Sequence, residues 1–72
     1  MNISENKIKK MLKDAGFYRV SCDVGHLKND FSNEKALKEF VRFVGKNMKH
    51  IPMTVHYNDL RPFVERFQEG SS

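Results

Sequence analysis

A series of cationic side chains recurs every three or four residues in the middle of the chain. Its members, which we term the basic ridge, are Lys35, Lys38, Arg42, Lys46 and Lys49. This spacing places side chains along one face of a helix. If the helix is continuous, the row is roughly 20 Å long at 1.5 Å per residue. Because such a row can neutralise several phosphates, we predict that it contacts nucleic acid or a nucleoprotein complex.

The charge of the rest of the chain supports and modifies this interpretation. The net charge is +4, and residues 1–50 hold eleven Lys or Arg against six acids. Glu34 and Glu39 flank the ridge and lower its positive electrostatic potential. Three lysines of a predicted first helix extend the basic surface if the first two helices lie on the same side of the sheet. These are Lys7, Lys10 and Lys13. The excess favours a polyanionic partner, although a solvated lysine-rich face has the same composition.

No arrangement of residues in the sequence is typical of an enzyme. A nucleophile needs a base within reach, but Cys22 falls on the apolar side of a predicted strand, where a thiol acts as a small core residue. Glycine-rich phosphate or dinucleotide motifs and the Gly-x-Ser-x-Gly elbow do not occur in the sequence. We therefore predict a non-enzymatic binding or regulatory protein that uses no cofactor.

Four residues contain the ligand atoms that tetrahedral zinc accepts, namely Cys22, His26, His50 and His56. Their spacing departs from that of compact zinc modules, in which cysteine pairs lie two to four residues apart. The alternative is that the histidines are surface residues at the ends of helices and strands. The set stays a candidate metal site that the structure has to test.

An alternative function belongs to another class. An apolar edge around Phe43, Val55, Tyr57 and Phe63 would suit an inhibitor or adaptor that binds and blocks a larger host enzyme or complex. The small, lysine-rich, single-domain build resembles phage or mobile-element accessory proteins, including anti-defence proteins, and this resemblance covers no specific motif. The two functions differ in salt dependence, because phosphate contacts weaken steeply with salt.

The hydrophobic pattern predicts a small α+β domain with the order helix, strand, helix, strand, helix. Apolar residues at steps of three and four predict helices at about 3–15, 33–48 and 60–68, and alternation predicts strands at about 17–24 and 53–57. A small sheet packs on the helices, and the loop at 25–31 is open to a further strand. We expect residues 1–69 to form a single domain and residues 70–72 to form a frayed tail.

Local signals predict where the helices begin and end. Asn2 and Ser32 are the expected N-caps of the first two helices, and Gly16 is the expected left-handed residue after the first. Asp59 is the expected N-cap of the third helix, with Pro62 in its first turn. Gly45 leaves the end of the second helix open between 44 and 49.

Length and composition limit the class of protein. Seventy-two residues with one cysteine allow a single domain and no internal disulfide. The sequence has no apolar run long enough for a signal peptide or a membrane span, so we expect a cytoplasmic protein with no membrane partner. A two-stranded sheet is marginal by itself, and this keeps a homodimer open.

Overall fold

Residues 2–70 are described by a computed structural model, in which they form three α-helices, one 3-10 helix and two short strands. The elements are α1 Glu5–Asp14, β1 Arg19–Val20, the 3-10 helix Cys22–Asn29, α2 Glu34–Asn47, β2 Thr54–Val55 and α3 Tyr57–Gly70. The predicted α+β class and element order are confirmed. The Cα radius of gyration of 10.9 Å is close to the value of about 11 Å for one globular domain of this length.

The sheet consists of β1 and β2 in parallel, with Arg19 opposite Thr54 and Val20 opposite Val55. Because α2 lies between the two strands in the chain, residues 19–55 form a β-α-β unit. Both strands are much shorter than the predicted spans of 17–24 and 53–57. Each strand pairs along one edge in the described part of the chain, and dimerisation through the other edge stays a prediction.

The predicted first strand is wrong beyond Val20, because the chain turns into the 3-10 helix. The Ser21 hydroxyl accepts the backbone N–H of Asp23 at 3.5 Å, and local bonds of this kind compete with sheet pairing. Val24 and Leu27, three residues apart, are fully buried on one side of this helix. Cys22 is exposed, which contradicts its predicted place in the core, and the 25–31 segment adds no strand.

The core lies between the three α-helices, the 3-10 helix and the sheet. The side chains of residues 2–70 that are buried are all apolar. Phe40 is fully buried, and its ring centroid lies 4.8 Å from that of Phe31 and 5.7 Å from that of Phe67. This aromatic cluster joins the segment before α2 to α3, so it fixes the face that α2 turns inward.

The first two helices begin later than predicted, because other residues provide their N-caps. The Ser4 hydroxyl accepts the N–H of Lys7 at 3.2 Å, and Asn33 Oδ1 accepts that of Ala36 at 2.8 Å. Asn2 and Ser32 therefore lie outside the helices. The predicted stop at Gly16 is confirmed by its φ of +112°, and Phe17 N–H closes the end by donating to Leu12 O at 3.2 Å.

The third helix begins at Tyr57 and includes Gly70, so it is longer than the predicted 60–68. Asp59 is not its N-cap, because its Oδ2 accepts the N–H of His56 at 2.8 Å from within the first turn. Asp23 Oδ1 accepts the N–H of Tyr57 at 3.0 Å. Pro62 consequently lies inside the helix and not in its first turn. The rest of the predicted tail, residues 71 and 72, is outside the described residues.

Helices α1 and α2 lie side by side and run in the same direction. Lys7, near the start of α1, forms an ion pair with Glu34 at the start of α2. Near the other end, a β-carbon built on Gly45 would lie 3.6 Å from the carbonyl oxygen of Ala15. Gly45 therefore lies where the two helices approach, and α2 continues through it to Asn47.

Candidate nucleic-acid interface

Four members of the basic ridge lie on the solvent side of α2. Leu37, Phe40 and Val44 turn inward and are fully buried. The cations occupy an arc of about 80° on the opposite side, at 100° per residue, and all of them are exposed: Lys35, Lys38, Arg42 and Lys46. The sequence pattern therefore placed these four correctly relative to the core.

The fifth predicted member, Lys49, does not belong to the helix. Met48 has an extended backbone (φ −79°, ψ 111°), so the chain leaves the helical path before Lys49. The part of the ridge from Lys35 to Lys46 is about 16 Å long at 1.5 Å per residue, which is shorter than predicted. Lys49 is exposed in the segment between α2 and β2.

The cations of the ridge are not neutralised within residues 2–70. No salt bridge in this range involves Lys35, Lys38, Arg42 or Lys46. Glu34 is paired with Lys7 instead. The hydrogen bond from Lys7 lowers the pKa of Glu34, burial opposes this, and the charges of Lys7 and Lys38 add to the lowering. Lys7 is therefore not a free extension of the ridge, whereas Lys10 and Lys13 are exposed.

A groove of about 330 Å³ separates the ridge from α1. Lys38 and Arg42 line it from α2, and Met11, Ala15 and Val41 provide its apolar part. Asp14 is the acidic residue of this groove and makes no salt bridge with any residue between Asn2 and Gly70. The ridge is thus bordered by a groove that two of its cations line.

The apolar edge predicted for protein binding is not an open surface. Val55 is fully buried, and the Tyr57 hydroxyl donates to Asp30 Oδ2 at 2.6 Å. Phe43 and Phe63 are half-buried, and the guanidinium of Arg66 lies 5.9 Å and 5.2 Å from their ring centroids. The exposed large apolar residues among 2–70 are instead Tyr18, Ile51 and Met53.

The candidate metal ligands Cys22, His26, His50 and His56 are not brought together. Across the described range, no three His, Cys, Asp or Glu side chains form a group that could hold a metal ion. The His26 ring packs 5.4 Å from that of Tyr57, and His56 Nδ1 lies 3.6 Å from Asp23 Oδ2. His50 lines a different groove. The four predicted ligands therefore do not form a metal site.

Two polar contacts hold the start of α3 against the 3-10 helix. Burial raises the pKa of Asp23, but hydrogen bonds from the Tyr57 N–H and from Ser21, together with His56, outweigh it and leave the pKa lowered. The hydrogen bond to Asp30, reinforced by burial and by the Asp30 charge, raises the pKa of Tyr57. These contacts link the 3-10 helix to α3.

Sequence reasoning missed Arg66 as a functional candidate. It extends the positive surface of α2 onto α3, where its guanidinium rests on Phe43 and Phe63. The spacing of Phe63 and Arg66 at i and i+3 on a predicted helix was a readable signal. The contact with Phe43 depends on the packing of α2 against α3, which the sequence does not specify.

Comparison with protein-family models, curated proteins and solved structures finds no match to this chain. None of the helices between Asn2 and Gly70 combines the length and the apolar character that a membrane span requires. The fold and the site define a small α+β domain with an exposed basic helix face.

Proposed function

We propose that this protein is a non-enzymatic regulatory protein that binds nucleic acid, alone or within a nucleoprotein complex, through the basic ridge. The observation that carries the proposal is the exposure of Lys35, Lys38, Arg42 and Lys46 opposite the core of α2, with no salt bridge from these four to an acid among residues 2–70. A set of aligned, unpaired cations attracts a polyanion and gains affinity by releasing its counterions.

The ridge suits contact with phosphates and not with bases. The exposed residues of α2 include the four cations, Glu39 and Asn47. Asn47 lies at the end of the helix and its amide donates to Phe43 O at 2.7 Å, so it does not offer a free amide for pairing with an adenine edge. Phe40 is buried and the Phe43 ring packs against Phe67 of α3 at 5.4 Å, so the solvent face of α2 has no aromatic platform for stacking single-stranded bases. We therefore propose binding that depends little on sequence, with the phosphate backbone of a duplex as the preferred target.

Charge reversal on the ridge tests the proposal. We expect the double variant Lys38→Glu/Arg42→Glu to bind a duplex oligonucleotide about a hundredfold or more weakly than the wild type, since it loses two charge-assisted contacts and adds repulsion. The matched control is Lys28→Glu/Arg61→Glu, which changes the net charge equally at exposed positions outside α2. Equal losses in the two variants would mean that overall charge, and not the ridge, drives binding.

A protein-binding inhibitor or adaptor, of the phage or mobile-element accessory type, is the second candidate function. It is favoured by the exposure of Tyr18 (68%) and Met53 (69%), which directly precede the paired residues Arg19 and Thr54 in the chain. Clustered exposed apolar side chains are typical of interaction sites. If this is the function, we expect the complex with the protein partner to persist in high salt. The double variant Tyr18→Ser/Met53→Ser should lose the complex, and Lys38→Glu/Arg42→Glu should retain it.

A further inference from the structure

A second cationic concavity lies between the C-terminal end of α2 and α3, on a different side of α2 from the groove against α1. Its volume is about 630 Å³, within the range of roughly 300–1,000 Å³ that is usual for small-molecule sites. Its apolar members are Met48, Pro52 and Phe63, and its basic members are Lys49, His50 and Arg66. We term it the α2–α3 groove.

Arg66 is held in place by aromatic rings and not by an acid. Its Cζ lies 5.2 Å from the Phe63 centroid and 5.9 Å from the Phe43 centroid, both within cation–π range. In the described part of the chain, Arg66 makes no salt bridge. The planar fork of N–H groups is therefore oriented while its donors remain open, which is the arrangement that suits bidentate binding of a phosphate.

The charge of the groove favours an anion. Lys49 and Arg66 contribute two positive charges, and Asp59 is the acidic residue that lines it. The Asp59 carboxylate is already engaged, because its Oδ2 accepts the His56 N–H at 2.8 Å. The groove therefore combines a net positive charge with an aromatic ring and a proline, next to each other on one wall of the fold.

The geometry points to a nucleoside phosphate as the ligand of the α2–α3 groove, with the phosphate on Arg66 and Lys49 and the base against Phe63. A phosphate alone would leave the apolar members uncovered, and a neutral base would leave the cations without a partner. A nucleoside phosphate can reach the groove either as a free nucleotide or as the terminal nucleotide of a nucleic-acid strand. Lys49, which the structure places outside α2, is the one predicted ridge residue that lines this groove. Lys38 and Arg42 do not line it, so the inference does not depend on the cations of α2.

Titration of the isotopically labelled chain with adenosine monophosphate, followed by amide NMR, tests the inference. We expect the largest shifts at residues 47–51 and at Phe63 and Arg66, with weaker binding of both adenosine and inorganic phosphate. Arg66→Gln should weaken nucleotide binding about tenfold through loss of a charged hydrogen bond. Arg61→Gln, an exposed change on α3 outside the groove, should leave it unchanged.

Further arms separate the alternatives. Phe63→Leu, checked for folding by circular dichroism, should reduce nucleotide binding more than inorganic phosphate binding, because it removes the base contact while Phe43 still lies within cation–π range of Arg66. Tighter, Arg66-dependent binding of an oligonucleotide with a 5′-phosphate than of one with a 5′-hydroxyl identifies a strand end as the source, and no gain over the mononucleotide identifies a free nucleotide. Equal affinity for inorganic phosphate and nucleotide, or indifference to Arg66→Gln, would overturn the inference. Retained nucleotide binding by Lys38→Glu/Arg42→Glu keeps this result separate from the test of the ridge.

Discussion

The salt dependence of duplex binding follows from the number of cations on the ridge. The described residues place four exposed cations on the solvent face of α2: Lys35, Lys38, Arg42 and Lys46. If each neutralises one phosphate, the slope of log K against log salt is about −3.6 for a duplex and about −2.8 for a single strand. Raising monovalent salt from about 50 mM to about 200 mM should then weaken duplex binding about 150-fold and single-strand binding about 50-fold.

Single substitutions that remove one charge each show which cations contribute to this slope. We expect Lys38→Gln and Arg42→Gln each to make the duplex slope shallower by about 0.9, because each removes one released counterion. Lys28→Gln, on the 3-10 helix, should leave the slope unchanged. Fluorescence anisotropy of a labelled duplex with 5′-hydroxyl ends measures the slope without a contribution from terminal phosphates.

The reasoning fails if the measured slope is close to −1, since fewer than two phosphates would then be neutralised. It also fails if Lys28→Gln changes the slope as much as Lys38→Gln, because the ridge would then have no special role. A steep slope that is insensitive to every α2 variant would place the phosphate contacts on another surface.

Three substitutions test the fold that positions the ridge. Gly45→Ala should stabilise the protein by about 0.5–1 kcal/mol, because the added β-carbon makes an ordinary 3.6 Å contact with Ala15 O and glycine is a poor helix former; a lowered thermal midpoint would contradict this. Gly16→Ala should destabilise by about 1–2 kcal/mol, because its φ is +112° and a β-carbon is disfavoured there; the same melting experiment measures it. Asp23→Ala should cost about 1 kcal/mol near neutral pH, since the Tyr57 N–H loses its acceptor. Because the folded-state pKa of Asp23 lies below its ordinary value of 3.8, this contribution is present above 3.8 and is lost as pH falls through the lower folded value. Urea unfolding at neutral and acidic pH should therefore show the wild type and Asp23→Ala converging in acid, and a constant difference would refute the assignment.

The second helix was predictable because its apolar stripe and its cations repeat with one period over fourteen residues. The end of β1 was not predictable, because the sequence around it fits two conformations. Val20, Cys22 and Val24 alternate as in a strand, and Val24 and Leu27 have the three-residue spacing of a 3-10 helix. The Ser21 hydrogen bond decides between these conformations, and alternation alone does not reveal it.

The start of α3 shows the limit of local signals. Asp59 is a reasonable N-cap by type, but Asp23, thirty-four residues from Tyr57 in the sequence, accepts the first N–H and moves the start of the helix earlier. Likewise, the ridge could be predicted from spacing within one helix, whereas the α2–α3 groove requires residues from α2, the following segment and α3 to meet. Such contacts become visible only once the tertiary fold is known.

The common direction of α1 and α2 has an electrostatic consequence. Because the two helix macrodipoles point the same way, their partial positive N-terminal ends lie close together, and so do their partial negative C-terminal ends. Glu5 and Glu34 lie in the first turns, and Lys13 and Lys46 lie in the last turns, so each pair offsets the repulsion at its end. Lys46 consequently serves both the fold and the proposed interface, and its removal would mix a loss of stability with a loss of affinity. Arg42, in mid-helix, is free of this coupling and gives the cleaner measurement, whereas the charge of Lys38 also acts on Glu34 in the first turn.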